Sequence, residues 1–285
     1  MSIRTTGLYR YPVKSMAGES LDQLTLGPRG VPGDRAWAVR DEKRGGIRGA
    51  KHFRELMQCS ARYADEPAAE GSSPAEVTLP SGEVLGTGDE ALPAKLSELV
   101  NCPVSFWPLM PADALDHYRR GAPIHEDMEQ EWRRVFARPE GTPLPDLSVF
   151  PPELFEFESP LGTYFDAFPL LLLTRQSLDT LAKATPDSQF DVRRFRPNIL
   201  LDAPSDDPFP ELAWVGKEVT IGSATLKIEL HCPRCQMTTH GFADLPRDSK
   251  IMQTMIRESD GNLGVYASVV TQGAVRMGDT LSVRE

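Results

Sequence analysis

What this chain lacks narrows it quickly. It has four cysteines in 285 residues, Cys59, Cys102, Cys232 and Cys235, which do not make a disulfide framework. No apolar run approaches the ~18 residues of a membrane span; the longest candidate, Leu170 to Leu173, reads as one buried strand. The opening Met1-Ser2-Ile3-Arg4-Thr5-Thr6 has no apolar region of the kind a secretory leader needs, so the expected home is the cytoplasm. Positive charge is in deficit, since 31 Lys and Arg against 41 Asp and Glu leave −10. That is the wrong sign for a protein that binds nucleic acid by displacing counterions. The five histidines form no H-E-x-x-H pair, and neither G-x-S-x-G nor the Walker glycine spacing occurs. Histidine-pair zinc, serine-hydrolase and P-loop chemistries therefore find no support.

Proline is what abounds, 25 of 285 residues or about 9% against a usual 5%. It breaks helix interiors, so short strands and many turns are expected rather than a bundle. Apolar and polar residues alternate as in strands at 7–11, 21–26, 35–39, 75–79 and 104–107, with a short helix over 91–100. Beyond residue 160 strands are predicted at 164–168, 170–174, 198–201, 218–221, 224–230, 265–270 and 280–283, with helices over 176–183 and 250–258. The stretch between is proline-rich, with its best helix at 127–136, and reads as a lid or a wrapped connection. The predicted class is α+β and β-rich. It divides as an N-terminal β-barrel-like part at 1–110, the connection at 111–160 and a second β domain at 161–285, on which the first strands are free to pack.

Four segments carry candidate chemistry. His231-Cys232-Pro233-Arg234-Cys235 follows a predicted strand. It suits part of a zinc site that lacks its second pair, a redox dithiol, or a thiolate on a soft metal with Arg234 beside it. Arg193-Arg194-Phe195-Arg196-Pro197-Asn198 puts three arginines in four positions of an acidic chain; as a strand it would turn Arg194 and Arg196 to one face. Tyr11-Pro12-Val13-Lys14-Ser15 ends a strand on a lysine and a hydroxyl, and Gly33-Asp34-Arg35 opens another on an arginine. Together they set Lys14, Ser15, Arg35, Arg194, Arg196 and Arg234 at strand ends beside a cysteine pair. An anionic, sulfur-ligated cofactor suits that set better than a hydrolytic triad.

These segments, in this order and with Gly264-Val265-Tyr266 and Val275-Arg276-Met277-Gly278-Asp279 near the end, resemble the MOSC family with its N-terminal β-barrel domain, in particular its amidoxime-reducing members. The resemblance implies a MOSC β-barrel packed on that N-terminal domain, and a molybdenum cofactor (molybdenum on a molybdopterin dithiolene) ligated by Cys235. It implies that Lys14, Ser15, Arg35, Arg196, Asn198 and Arg234, with Arg194 and Thr174, hold the pterin and its phosphate, while Tyr266 lines the substrate side. The implied activity is reduction of N-hydroxylated small molecules, fed by a separate flavin, haem or iron–sulfur electron-donor protein. One departure is Thr238-Thr239-His240-Gly241-Phe242-Ala243-Asp244, where the family runs Thr-Thr then Val-Asp-Pro; His240 is therefore a candidate proton donor. The 111–160 stretch exceeds what the resemblance accounts for and is expected to cover the cofactor mouth. The alternative is a non-catalytic cofactor- or sulfur-carrier module with Cys235 as a persulfide.

Overall fold

The computed structural model describes residues 2–284. Seven strands close a ring: Ile3–Arg10 (β1), Leu170–Thr174 (β2), Ile199–Asp202 (β3), Glu218–Ile221 (β4), Ala224–Pro233 (β5), Asn262–Thr271 (β6) and Thr280–Val283 (β7). Their order is β3-β2-β6-β5-β4-β7-β1, and β1 pairs back onto β3. Closure leaves these strands no open edge. All pairs are antiparallel except β2 with β3. A parallel pair needs a crossover, and the helix Arg175–Ala184 supplies it.

Alternation decides what each face does. Leu8, Leu172, Ile199, Leu201, Leu226 and Val265 point into one buried cluster inside the barrel. Their neighbours Tyr9, Leu173 and Leu200 point outward and pack with Leu178, Leu181, Ile251 and Met255 of the helices Arg175–Ala184 and Lys250–Ser259. The run Leu170–Thr174 is apolar on both faces because both faces are covered.

The N-terminal unit is built on two small sheets. Trp37–Asp41 pairs with Ile47–Arg48 and Val104–Pro108, while Glu76–Thr78 pairs with Ser60–Arg62 and Val84–Gly86. Val13, Met16, Val39, Leu56, Val77 and Leu96 share their core. The two units interlock. The chain's first strand belongs to the C-terminal barrel, and Gln23–Leu26 pairs with Gly273–Arg276 near the other end. Residues 11–16 cross from one unit into the other.

Three expectations need correction. Residues 164–168 are not a strand: the Tyr164 carbonyl accepts from Lys14 Nζ at 2.7 Å instead of from a neighbouring strand, while the Tyr164 hydroxyl donates to the Pro108 carbonyl at 2.6 Å. The strand before the cysteine pair runs on through Cys232 to Pro233. Residues 192–194 form a 3-10 turn, with Arg196 left-handed at φ 55°, so the arginines do not alternate across a strand.

The 111–160 stretch contains the helices Leu115–Tyr118, Met128–Phe136 and Glu153–Glu156. The middle one starts where Asp127 accepts from the N–H groups of Glu129 and Gln130. Tyr118, fully buried against Ala38, Ile47, Phe157 and Tyr164, ties the stretch to the N-terminal unit. Arg138, midway along the stretch, ties it to the barrel through the Asp260 carbonyl at 2.5 Å. Among the described residues no helix is long and apolar enough to cross a membrane.

The barrel interior should carry the stability. Leu172→Ala is expected to cost about 2–5 kcal/mol in urea unfolding, whereas Val84→Ala, at a side chain 54% exposed, should stay within about 0.5 kcal/mol.

Candidate active site

A cavity of about 510 Å³ lies where the units interlock, floored by the end of β5 and walled by residues 14–15, 47–52 and the 120–158 region. Among the described residues seven non-glycine residues have positive φ, and Ser15 (69°), Arg35 (51°) and Arg196 (55°) all line this one cavity. Such backbone costs about 1–3 kcal/mol per residue and collects at functional sites. At Arg196 the following Pro197 disfavours the right-handed helical region. Ser15 is held by its Oγ, which accepts the Ala50 N–H at 2.9 Å.

Positive charge is concentrated here. Lys14 Nζ donates to Asp166 at 2.9 Å, and Lys51 Nζ meets the same carboxylate at 3.4 Å. Burial pushes the Asp166 carboxyl up, but the charges of Lys14, Lys51 and Arg35 outweigh it and hold it well below the usual carboxylate range. Asp166 in turn lifts Lys51, whereas burial pulls Lys14 down. Arg35 pairs with Asp34, and its guanidinium lies 4.9 Å from the centre of the Tyr11 ring. Arg196 lies 4.1 Å from that same ring. Burial, together with the Arg35 charge, pushes Arg196 down to about 10. Its Nη1 donates to the Met16 carbonyl, while Nη2 is buried with no partner among the described residues. A buried donor without an acceptor calls for a ligand or water.

The sulfur end lies alongside. Arg234 Nη1 donates to Cys232 Sγ at 3.0 Å and Nη2 to the Phe195 carbonyl at 2.5 Å. Cys235 is partly exposed to the cavity and caps the 3-10 turn Gln236–Thr239. Burial pushes its thiol up, with Lys51 pulling the other way. Gln236 Nε2 donates to the Lys51 carbonyl at 2.9 Å, fastening this turn to the N-terminal unit. The donor set, several buried cations, orphaned guanidinium N–H groups on Arg196 and Arg48 and one accessible thiol, fits an anionic group with a soft metal at one end.

Residues 162–282 match the MOSC domain and residues 2–92 the MOSC N-terminal beta barrel domain. The chain belongs to the MOSC family. Human mitochondrial amidoxime reducing component 2 is 33% identical over 129 residues, 41% of this chain and 37% of that protein. Molybdenum cofactor sulfurase of Danio rerio is 28% identical over 258 residues, 83% of this chain and 28% of that one. The chain thus matches well under half the length of these curated relatives. A crystal structure of the YUAD protein from Bacillus subtilis aligns with 99% of the chain and 96% of its own, at 13% identity and a TM-score of 0.44.

Within this MOSC site the residues singled out from the sequence divide. Lys14, Ser15, Arg35, Arg196, Asn198, Arg234, Cys235 and Tyr266 line the cavity. Asn198 has no polar atom to spare, since Oδ1 accepts from the Leu171 N–H at 3.2 Å and Nδ2 donates to Asp34 at 3.1 Å and the Tyr9 carbonyl at 3.3 Å. It builds the wall. Tyr266 faces outward from β6, between the inward Val265 and Ala267, against Phe168 and Phe150. Burial and the adjacent Cys232 raise its hydroxyl far above the usual range, so it keeps its proton.

Three candidates are placed otherwise. Arg194 touches the cavity, but its guanidinium is spent on the carbonyls of Gln189, Thr238, His240 and Pro246. It positions the loop after Cys235. Thr174 is away from the cavity lining, where it caps the helix Arg175–Ala184 and donates to the buried Glu211 at 2.6 Å. His240 also lies outside the lining, with Nε2 donating to the Ala50 carbonyl at 3.0 Å. Sequence reading missed Lys51 and Asp166. Lys51 lies in a stretch without periodicity, and Asp166 in the segment misread as a strand.

His52 makes the site's electrostatics measurable. It stands between Arg48 at 3.0 Å and Arg134 at 3.5 Å. Burial and these two cations push its pKa from 6.5 to about 3. Between those values the unfolded chain takes up a proton that the folded chain refuses, so this residue makes stability fall as pH drops from 6.5 to 3. His52→Gln should therefore flatten the fall of the urea midpoint across that window. An unchanged slope would contradict the assignment.

Proposed function

We propose that this chain binds a molybdenum cofactor in the cavity, with Cys235 on the metal, and reduces N-oxygenated small molecules of the amidoxime or hydroxylamine type. The observation that carries this reading is the convergence of Lys14, Arg35, Arg196 and Arg234 on one cavity with the accessible Cys235 thiol. In a chain of net charge −10, that concentration of cations needs an anion. Family membership and the similarity to an amidoxime reducing component support the same reading.

Lys14, Ser15, Arg35 and Arg196 would hold the anionic end, the orphaned Arg196 Nη2 gaining the acceptor it lacks. Arg234 would sit beside the sulfur end. When bound, the cofactor supplies a two-electron centre able to take oxygen from nitrogen. Reduction of an N–OH group to N–H releases water and consumes two electrons and two protons. The protic groups lining the cavity include Lys14, which burial makes the readier donor, Lys51, which Asp166 keeps charged, and the Tyr266 hydroxyl, which holds its proton. His240 is turned away and has no part in this. The electrons come from a separate donor protein of flavin, haem or iron–sulfur type.

A second reading has its own support, because the match to a molybdenum cofactor sulfurase runs over 83% of the chain. Under it Cys235 carries a persulfide and no metal.

Metal analysis of protein made in a cofactor-competent host separates the two. Near-stoichiometric molybdenum is expected, falling at least about tenfold in Cys235→Ser and retained in Cys232→Ser. Metal-free protein with a labile sulfane sulfur on Cys235 would establish the second reading instead.

A further inference from the structure

Eight lysines and arginines line the cavity against three carboxylates, Glu131, Glu158 and Asp166. Lys14, Arg35, Arg196 and Arg234 belong to the floor assigned above to the cofactor. Arg48, Lys51 and Arg120 stand outside that set, and their share of negative charge is small. Glu158 is divided between Arg48 at 3.2 Å and Arg120 at 3.1 Å, while Glu131 is taken by Arg134. Lys51 meets only the Asp166 carboxylate, at 3.4 Å, which Lys14 already holds at 2.9 Å. His52 adds no charge at neutral pH, since burial and the charges of Arg48, Arg134 and Lys51 push its pKa down to about 3. The Arg48 side chain is 3% exposed; its Nη2 donates to the Ala122 carbonyl at 2.6 Å, and its Nε is buried with no partner among the described residues. Buried cations that share one carboxylate are under-compensated, and a further anion would stabilise them. Two of the three are open to receive it, Lys51 and Arg120 each being about a third exposed. Arg120 gives Nη1 to Glu158 and Nε and Nη2 to the Leu154 carbonyl, so each terminal nitrogen keeps a second N–H. Its guanidinium lies 6.0 Å from the centre of the Trp132 ring. The surrounding wall of Trp132, Phe136 and Phe155 is apolar, and low polarity strengthens an ion pair made beneath it.

We infer that the outer cavity is an anion subsite, where Lys51 and Arg120, with Arg48 behind them, hold a carboxylate or phosphate group of the ligand that enters beside Cys235. The subsite rests on these three side chains. That its ligand is the substrate of a reductase rests on the function proposed above. Under that reading the substrate is an N-oxygenated acid, its N–O head at the floor and its anionic end toward the mouth.

Calorimetric titration of the full chain tests this, with molybdenum measured on the same samples. The probes share one N–O head: 3-carboxypropionamidoxime, its phosphonate analogue and the neutral methyl ester of the first. At least one acid should bind about tenfold or more tightly than the ester, and the tighter of the two names the group. Arg120→Gln and Lys51→Gln should each bring that preference to within about threefold, with the molybdenum content of Arg120→Gln unchanged. Arg120→Lys, which keeps the charge, should retain most of it even if one glutamine variant folds poorly. Acids that bind no better than the ester, or a preference undiminished in both glutamine variants, would overturn the inference. So would a preference that survives Arg120→Gln but is lost in Arg196→Gln, because the anion would then sit on the floor. Metal-free protein whose preference depends on Arg120 would support the subsite and count against the proposed reductase. Molybdenum-loaded protein without the preference would do the reverse.

Discussion

One buried carboxylate holds the wall of the cavity together. The Asp34 side chain is fully enclosed, yet it accepts from the Tyr11 N–H at 2.7 Å and from Asn198 Nδ2 at 3.1 Å, and pairs with Arg35. Those three partners come from three separate stretches of chain: the exit from β1, the entrance to β3 and the turn opening the strand Trp37–Asp41. Their convergence sets Tyr11 between Arg35 and Arg196, and so fixes where both guanidinium groups stand. Removing one member of such a buried pair costs about 3–5 kcal/mol, because the other charge is left alone. The strained backbone at Arg35 and Arg196 persists because this network over-determines it.

The charge distribution follows from the same constraint. Over the whole chain acid exceeds base by ten, but on the cavity's inner side Asp34 and Asp166 stand against Lys14, Lys51, Arg35, Arg196 and Arg234. Asp166 is shared between two lysines and Asp34 balances Arg35, which leaves Arg196 with a buried N–H and no acceptor among the described residues. Toward the mouth Arg48 and Arg120 share Glu158 while Arg134 pairs with Glu131, so positive charge is in excess there as well, beneath a largely apolar wall. An interlocked fold suits this arrangement. β1 and the pairing of Gln23–Leu26 with Gly273–Arg276 fasten the two units at both ends.

Much of this was legible in the sequence wherever one physical rule acted alone. Alternation placed most barrel strands within a few residues, and Leu170–Thr174 read correctly as a buried strand. Lys14, Ser15, Arg35, Arg196, Arg234 and Cys235 were marked by turn chemistry at strand ends and by the family resemblance. Reading failed where tertiary partners overrode local pattern. The arginine run looked like strand, but Arg193 is drawn to Asp191 and Asp244, and Arg194 to four carbonyls. At residues 164–168 the Tyr164 carbonyl is taken by the Lys14 ammonium and not by a strand partner. Lys51 has no sequence signal at all, since its place beside Asp166 and Cys235 exists only once the two units have met.

The central claim is that the Cys235 sulfur, within this ring of cations, is the protein's own ligand to molybdenum. X-ray absorption at the molybdenum edge of the full chain, made in a cofactor-competent host, tests it most directly. The predicted spectrum contains a protein sulfur in addition to the dithiolene pair. A spectrum accounted for by the dithiolene and oxygen alone would contradict it.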